Sequence, residues 1–267
     1  MSDYELILVD TPAEYVRRIT LNRPAKRNAI STPLRVELLD ALRYHDNDPD
    51  VRITIIRGSG PCFSSGYDLG GGPMMDGAPF YSAPGDGQWA RQCNDMWFSI
   101  WDLAKPVVAQ IHGYAMAGGT ELASACDLVY VSEDAQISYP VVRVVSPPDW
   151  QYHTVLLGMR RAMELMLTGD PISGVEAVQI GFANKAFPVE TLDEDVLRVA
   201  SRIAGVPSDL TQINKRTVHR AMDVWGARAA IRAGSELQAL AGHSATAAQF
   251  RDNLLANVKK AAADSKG

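Results

Sequence analysis

The chain has 267 residues, of which 46% are hydrophobic, 21% charged and 7% aromatic, and 26 Lys plus Arg face 31 Asp plus Glu for a formal charge of −5. These proportions suit a globular chain with a sizeable buried core and exclude a small disulfide scaffold, a fibre and a disordered segment. The acidic balance argues against a nucleic-acid partner, because neutralising phosphates calls for a basic face.

From the N-terminus, MSDYELILVD is acidic and lacks a basic segment ahead of an apolar run, so no secretory signal is expected. Glu5 to Val9 and Val16 to Leu21 read as a hairpin, with Thr11-Pro12 as the turn signal between them. Thr32-Pro33 offers an N-cap and a first-turn proline, and Leu34, Leu38, Leu39 and Leu42 follow at helical spacing, which predicts a helix to about Tyr44. Val51, Ile53, Ile55 and Ile56 form a strand that Gly58-Ser59-Gly60-Pro61 ends. Gly66 to Asp86 is crowded with Gly and Pro and has no period, the mark of a long functional or disordered loop.

An amphipathic helix over Trp89 to Leu103 comes next, then a strand from Val107 to Ile111, glycines at 113, 118 and 119, a short helix from Thr120 to Cys126 and a strand from Leu128 to Val131. Strand, glycine turn, helix and strand in succession predict an α/β core with its working groups at strand ends. The apolar stretch Pro106 to Val131 is broken by Gln110, His112, the glycine pair, Glu121 and Asp127, so no membrane span and no membrane partner are expected. After about residue 153 helical patterns dominate: Val155 to Leu167, Gly174 to Ile180, Leu192 to Ala204, Leu210 to Met222, Ala227 to Leu240 and Ala245 to Ala262. Ala229, Ile231, Leu237 and Leu240 either cover another subunit or fold back on their own core. Cys62, Cys93 and Cys126 show no C-x-x-C pairing and read as free thiols of a reducing, cytoplasmic compartment. The five histidines, at 45, 112, 153, 219 and 243, lack metal-ligand spacing.

Two segments can converge backbone donors: Phe63-Ser64-Ser65-Gly66-Tyr67-Asp68, and Ala117-Gly118-Gly119-Thr120-Glu121 at a helix start. Helix N-termini present unpaired N–H groups and partial positive charge, so the Gly118 peptide suits an oxyanion. Two such amides on one carbonyl oxygen would stabilise an enolate or tetrahedral anion by about 3 to 4 kcal/mol each. Glycines at turns can equally be no more than turns.

The run Lys105-Pro106-Val107-Val108-Ala109 through His112-Gly113-Tyr114-Ala115-Met116-Ala117-Gly118-Gly119-Thr120-Glu121-Leu122 to Cys126-Asp127 resembles the signature of the crotonase (enoyl-CoA hydratase/isomerase) superfamily. So do Leu21-Asn22-Arg23-Pro24 with Asn28-Ala29, Phe63 to Leu69, and Leu167-Thr168-Gly169-Asp170 with Ala177 and Gly181-Phe182-Ala183-Asn184. The resemblance implies an α/β spiral of ββα turns over residues 1–200 with an acyl-CoA site, and a helical region over 201–267 that builds a homotrimer or hexamer. It implies an acyl-CoA thioester substrate, with coenzyme A entering as part of that substrate and no separate cofactor.

It further implies that the thioester oxygen lies between the N–H groups of Tyr67 and Gly118, with the Tyr67 side chain walling the acyl pocket. Of the two glutamates that family hydratases use, Glu121 stands for the first. Its helix start favours the carboxylate while burial would favour the acid, which suits a tuned acid/base; a Glu there can also be a mere dipole partner. The second is replaced by Val141, which cannot carry a proton. Asp149, in Ser146-Pro147-Pro148-Asp149-Trp150, resembles the acid/base aspartate of dienoyl-CoA isomerases, or is a turn or N-cap residue. Arg143 and His153 would orient a polar acyl group or serve surface and packing roles. For the coenzyme moiety the resemblance points to Lys26, Arg27, Ser65, Asp68 and Leu69, and less firmly to Phe250 with Lys259 or Lys260. Met74, Met75, Phe80 and Tyr81 would line an acyl pocket or belong to a mobile loop.

The function that follows is a hydratase or isomerase working through an enolate. Thioester hydrolysis, retro-aldol or retro-Claisen cleavage, and a non-catalytic acyl-CoA binder stay open. A serine hydrolase is disfavoured, since Ser64 and Ser65 sit in no G-x-S-x-G elbow.

Overall fold

A computed structural model of the chain describes residues 4–68, 87–145, 147–250, 252, 253 and 256. Strands β1 (Ile7–Ala13) and β2 (Val16–Leu21) pair antiparallel, and the chain turns at Glu14-Tyr15 rather than at Thr11-Pro12. Pro12 fits inside β1 because β1 is the edge of its sheet and the register slips between Asp10 and Ala13, so no ladder N–H is asked of proline. Helix α1 (Thr32–Asn47) runs past Tyr44, and Ser31 rather than Thr32 caps it, its hydroxyl accepting from the Leu34 N–H at 3.3 Å.

The chain continues through β3 (Ile53–Gly58), α2 (Gln88–Asp102), β4 (Val107–Ile111), β5 (Tyr114–Met116), α3 (Gly118–Ala125), β6 (Leu128–Ser132), β7 (Gln136–Ser138) and α4 (Tyr152–Thr168). Then come β8 (Ile172–Ser173), α5 (Gly174–Gln179), β9 (Lys185–Phe187), α6 (Leu192–Ala204), α7 (Ser208–Val224) and α8 (Ala227–Ala241), with residues 245–250 helical again. Strands β8 and β9 are too short, at 2 and 3 residues, to show a period of two in the sequence.

The large sheet has the order β1-β2-β3-β4-β6-β9 and is parallel from β2 onward; β5, β7 and β8 make a smaller one. In β4-β5-α3 and again in β6-β7-α4 the first strand joins the large sheet, the second joins the small sheet, and a helix follows. Ser64 bridges Ala115 of β5, so the passage from β3 to α2 takes the same path with a one-residue second strand. This is the expected α/β spiral of ββα turns.

Alternate residues of each central strand serve different cores. Ile56, Ala109 and Val131 meet α1, α2 and α3, while Ile55, Val108 and Tyr130 meet Leu192, Val196 and Ala200 of α6. Helix α8 divides its apolar residues: Ile231 is in the main core, whereas Ala229, Leu237 and Leu240 are exposed on this chain. No helix among the described residues is long and apolar enough to cross a membrane.

Asn28 ties the segments on which the site rests. Fully buried at a φ of 52°, a conformation Asn tolerates better than most residues, it donates from Nδ2 to the carbonyls of Ser59 and Cys62 at 2.8 Å each. Its Oδ1 accepts from the Arg23 N–H at 3.0 Å, and its own carbonyl accepts from the Ser64 hydroxyl at 2.9 Å. Asn28→Ala takes the side-chain partner from the Ser59 and Cys62 carbonyls and the Arg23 N–H, and urea unfolding is expected to show a loss of about 3 kcal/mol at unchanged slope.

Candidate active site

Strand β5 passes into α3 through Ala117, which takes a φ of 49° although it is not glycine, and whose N–H donates to the Ser138 carbonyl at 2.9 Å. The sharp turn makes Gly118 the first residue of α3, where a helix N–H has no acceptor one turn back. Beside it runs the Gly66-Tyr67 backbone. Gly66 has a φ of +99°, and a Cβ there would stand 2.8 Å from the Met116 carbonyl oxygen and 3.1 Å from the Gly118 nitrogen. Tyr67 bridges Ile30 in parallel fashion: Ile30 N–H donates to Gly66 O and Asp68 N–H donates to Ile30 O. In such a bridge the central residue's own N–H points to the other side. Two main-chain segments, each with an N–H outside the ladder, therefore lie against one another.

The Tyr67 side chain does more than wall a pocket. Its ring lies on Gly118, where a Cβ would come within 2.8 Å of ring carbons, and its hydroxyl donates to Glu121 Oε2 at 2.5 Å. Trp97 Nε1 donates in turn to the Tyr67 oxygen at 3.0 Å. Glu121, in the first turn of α3, is fully buried, and its Oε1 accepts from the Asp149 N–H at 3.0 Å. The Asp149 carboxyl is only 4% exposed and caps no helix, since α4 begins beyond it with Gln151 in the cap position. Its Oδ2 accepts from Trp89 Nε1 at 3.2 Å, and its Oδ1 is buried with no partner.

Burial, and then each carboxyl's neighbour, set the electrostatics. Removal from water raises the Glu121 carboxyl above the usual carboxylate range, and the nearby Asp149 charge raises it further. Burial likewise raises Asp149, against the opposing pull of the Trp89 hydrogen bond and the Arg35 charge. Burial of both carboxyls, with the Asp149 charge acting on Glu121, disfavours ionising the two together. Burial also keeps the Tyr67 phenol and the Cys93 thiol neutral.

Four groups around the pair, among them Cys93, read only as a free thiol, are given no role in the site by the sequence alone, yet each leaves a trace. Trp89, Cys93 and Trp97 recur every fourth residue and so share one stripe of α2. Arg35 occupies the same helical stripe as Leu38, Leu39 and Leu42, a cation on a buried face.

The remaining candidates fall elsewhere. Val141 is half-buried in a 3-10 turn, Pro140–Arg143, and offers no titratable group. Arg143 is exposed and bound to Asp170 and the Thr168 carbonyl. His153 is buried, stacks on Tyr152 with centroids 3.9 Å apart, and is pushed down by burial to about 3, so it stays neutral. Lys26 and Arg27 are exposed beside one another, and the Arg27 carbonyl accepts from the Ser65 N–H at 3.0 Å. The Asp68 carboxylate pairs with Arg23 at 2.7 Å. Phe250 is half-buried in the last helical segment. Leu69, Met74, Met75, Phe80, Tyr81, Lys259 and Lys260 lie outside the described residues. The structure thus brings Glu121, Asp149, Tyr67 and Gly118 together and groups Arg27 with Ser65.

Known proteins share this sequence and fold. The family model described as enoyl-CoA hydratase/isomerase matches residues 12–260. A mitochondrial enoyl-CoA hydratase of Pongo abelii is 32% identical over 252 residues, covering 93% of this chain and 82% of that protein. The crystal structure of an enoyl-CoA hydratase from Mycobacterium smegmatis superposes with a TM-score of 0.84 at 31% identity, covering 93% of this chain and 88% of that one. An enoyl-CoA hydratase/isomerase from Xanthobacter autotrophicus Py2 does so with a TM-score of 0.83 at 30% identity, covering 96% and 97%. The match spans nearly the whole chain, and the protein belongs to the enoyl-CoA hydratase/isomerase, or crotonase, family of enzymes.

Proposed function

We propose that the chain shifts a double bond in an unsaturated acyl-CoA thioester, with the Tyr67 and Gly118 N–H groups holding the thioester oxygen and the Glu121–Asp149 pair moving the proton. The observation that carries this reading is the Asp149 N–H bonded to Glu121 Oε1, which sets a second buried carboxyl beside the first where Val141 supplies none. Charge that develops on the thioester oxygen meets N–H groups already in place, so no reorganisation is needed as the enolate forms. A carboxylate of the pair takes a proton from the acyl carbon chain, and the pair's own proton is returned at another carbon, leaving the pair as it began. Both Glu121 oxygens are occupied by Tyr67 and the Asp149 N–H, so Asp149 Oδ1 is the oxygen of the pair with no partner to give up.

Hydration is the second reading, favoured by the hydratases among the relatives. Incubating the protein with enoyl-, dienoyl- and β-keto-acyl-CoAs in heavy-oxygen water separates the outcomes. Isomerisation gives product of unchanged mass, hydration incorporates the label, and cleavage releases free CoA or a shortened acyl group. Label uptake by the principal product refutes the isomerase reading. For the coenzyme moiety we propose that Lys26 and Arg27 meet the phosphates, with the main chain at Ser65, Asp68 and Leu69 alongside. Self-association as a homotrimer or hexamer through the C-terminal helices fits the exposure of Val224, Trp225, Leu237 and Leu240 on this chain.

Glu121→Gln is expected to lower kcat by about 10²-fold or more with little change in acyl-CoA affinity by calorimetry, and Asp149→Asn by about 10²-fold. Unchanged rates for Asp149→Asn on every accepted substrate would reduce Asp149 to a turn residue.

Stability should respond in the opposite sense. Because burial raises both carboxyls, the folded chain binds more protons than the unfolded one at pH values above the ordinary carboxylate range. Their contribution is complete at about pH 4 and is lost as pH rises through the raised values. Asp149→Asn removes a penalised ionisation, so its Tm is expected to match wild type near about pH 4 and to exceed it by about 2 to 4 °C at about pH 8.

A further inference from the structure

We propose that Arg35 is a positioning residue that keeps the Glu121–Asp149 pair singly ionised, acting through the rings of Trp89 and Tyr67 rather than through an ion pair. The inference rests on the reading of that pair as the proton-transfer group. Arg35 is 4% exposed, and among the described residues it forms no ion pair. Its Nη2 donates to Thr32 Oγ1 at 2.8 Å and its Nη1 to Cys93 Sγ at 3.8 Å, and its Nε is buried without a partner. A buried charge left so poorly satisfied is costly unless something else in the site balances it.

What faces the guanidinium is a pair of aromatic rings. Its Cζ lies 4.6 Å from the Trp89 ring centroid and 5.9 Å from that of Tyr67, both within cation–π range. Each ring carries the donor that holds one carboxyl: Trp89 Nε1 on Asp149 and the Tyr67 hydroxyl on Glu121. A cation over a ring withdraws electron density from it and makes its N–H or O–H a stronger donor. The two rings also meet edge to face at 5.1 Å, so one guanidinium spans both. A single positive charge thereby faces a pair that carries a single negative one. The nearer ring, Trp89, serves Asp149, and the Arg35 charge is among the influences that draw Asp149 down against burial.

Among the described residues the other titratable groups around the pair hold no charge. Cys93 on α2, Tyr67, Tyr139 after β7 and Tyr152 on α4 are all raised by burial, and His153 is lowered. Among the described residues, Arg35 is therefore the cation that faces the pair.

The test is a substrate-free titration of side-chain carboxyls by carbon-13 NMR on the full chain, with Asp149→Asn and Glu121→Gln assigning the signals. Arg35→Met is expected to raise the first ionisation of the pair by about one pH unit or more, and Arg35→Lys to restore most of it. On an accepted acyl-CoA, Arg35→Met should move the acid limb of the kcat profile up by the same amount, about tenfold in rate on that limb, with KM unchanged. A folded Arg35→Met protein whose pair titrates as in wild type overturns the proposal and leaves Arg35 as a brace for α1. Should that variant not fold, Trp89→Phe keeps the ring and deletes the donor; it must raise the same ionisation, and no movement overturns the proposal. The two readings fail separately. If the enoyl-CoA reading is wrong, wild type is inactive on the substrate panel while the titration still distinguishes the Arg35 variants. If only the Arg35 inference is wrong, turnover persists and the titration does not move.

Discussion

Two carboxyls held out of water and joined by one main-chain hydrogen bond are the constraint around which the site is organised. Glu121 is there because α3 starts at Gly118 and its first turn points inward; Asp149 is there because its own N–H is bound by Glu121. An ionised carboxylate in such a place needs donors, and the chain supplies them from separate elements: a phenol ahead of α2 that a second indole of α2 supports, one indole of α2 directly, and a peptide N–H ahead of α4. None is a formal ion pair. Polar but uncharged donors stabilise a negative charge without fixing it, which leaves the pair able to gain and lose a proton.

The backbone serves a second, independent purpose. Tyr67 is bound to Ile30 through its neighbours' peptide groups, which frees its own N–H on one side while its side chain reaches Glu121 on the other. That double use explains the glycine at 118, since any side chain there would collide with the Tyr67 ring. The left-handed conformation of Ala117, costly for a residue with a Cβ, persists because the bonds to Ser138 and from Glu121 and Thr120 determine the turn on both sides. Strain and close approach concentrate where the two N–H groups lie.

Much of this was legible in the residues themselves. Strong periods placed α2, β4 and α6 almost to the residue, and the run from His112 to Glu121 located the β5–α3 turn. The misread hairpin turn has a simple cause: Pro12 signals a turn, but on a bulged edge strand it is tolerated. Strands β8 and β9 were illegible because their pairing comes from tertiary contacts rather than from any local pattern. The roles of Arg35 and Trp89 depend on α1 and α2 lying side by side, which no spacing along one helix reveals; an arginine on an apolar stripe was nonetheless a visible anomaly. The sequence offers Tyr67 as a peptide donor and a pocket wall but not as a partner of Glu121, because the direction of a side chain after Gly66 is set by a φ that the sequence leaves open.

On the proposed reading, a second carboxyl at 149 in place of the one that the family resemblance expects at 141 changes more than an address. Val141 stands in a half-buried 3-10 turn ahead of α4, whereas Asp149 follows two prolines and is locked by its own peptide to the residue it partners. That bond fixes the Asp149 backbone against the Glu121 carboxyl, while Trp89 Nε1 holds the Asp149 carboxyl itself. Trp89 Nε1 donates to Asp149 and Trp97 Nε1 to the Tyr67 oxygen, and the remainder of each indole is apolar carbon. Under the proposed isomerase reading this arrangement serves to relay a proton along an acyl chain, and it follows from one peptide N–H and the two prolines that precede it.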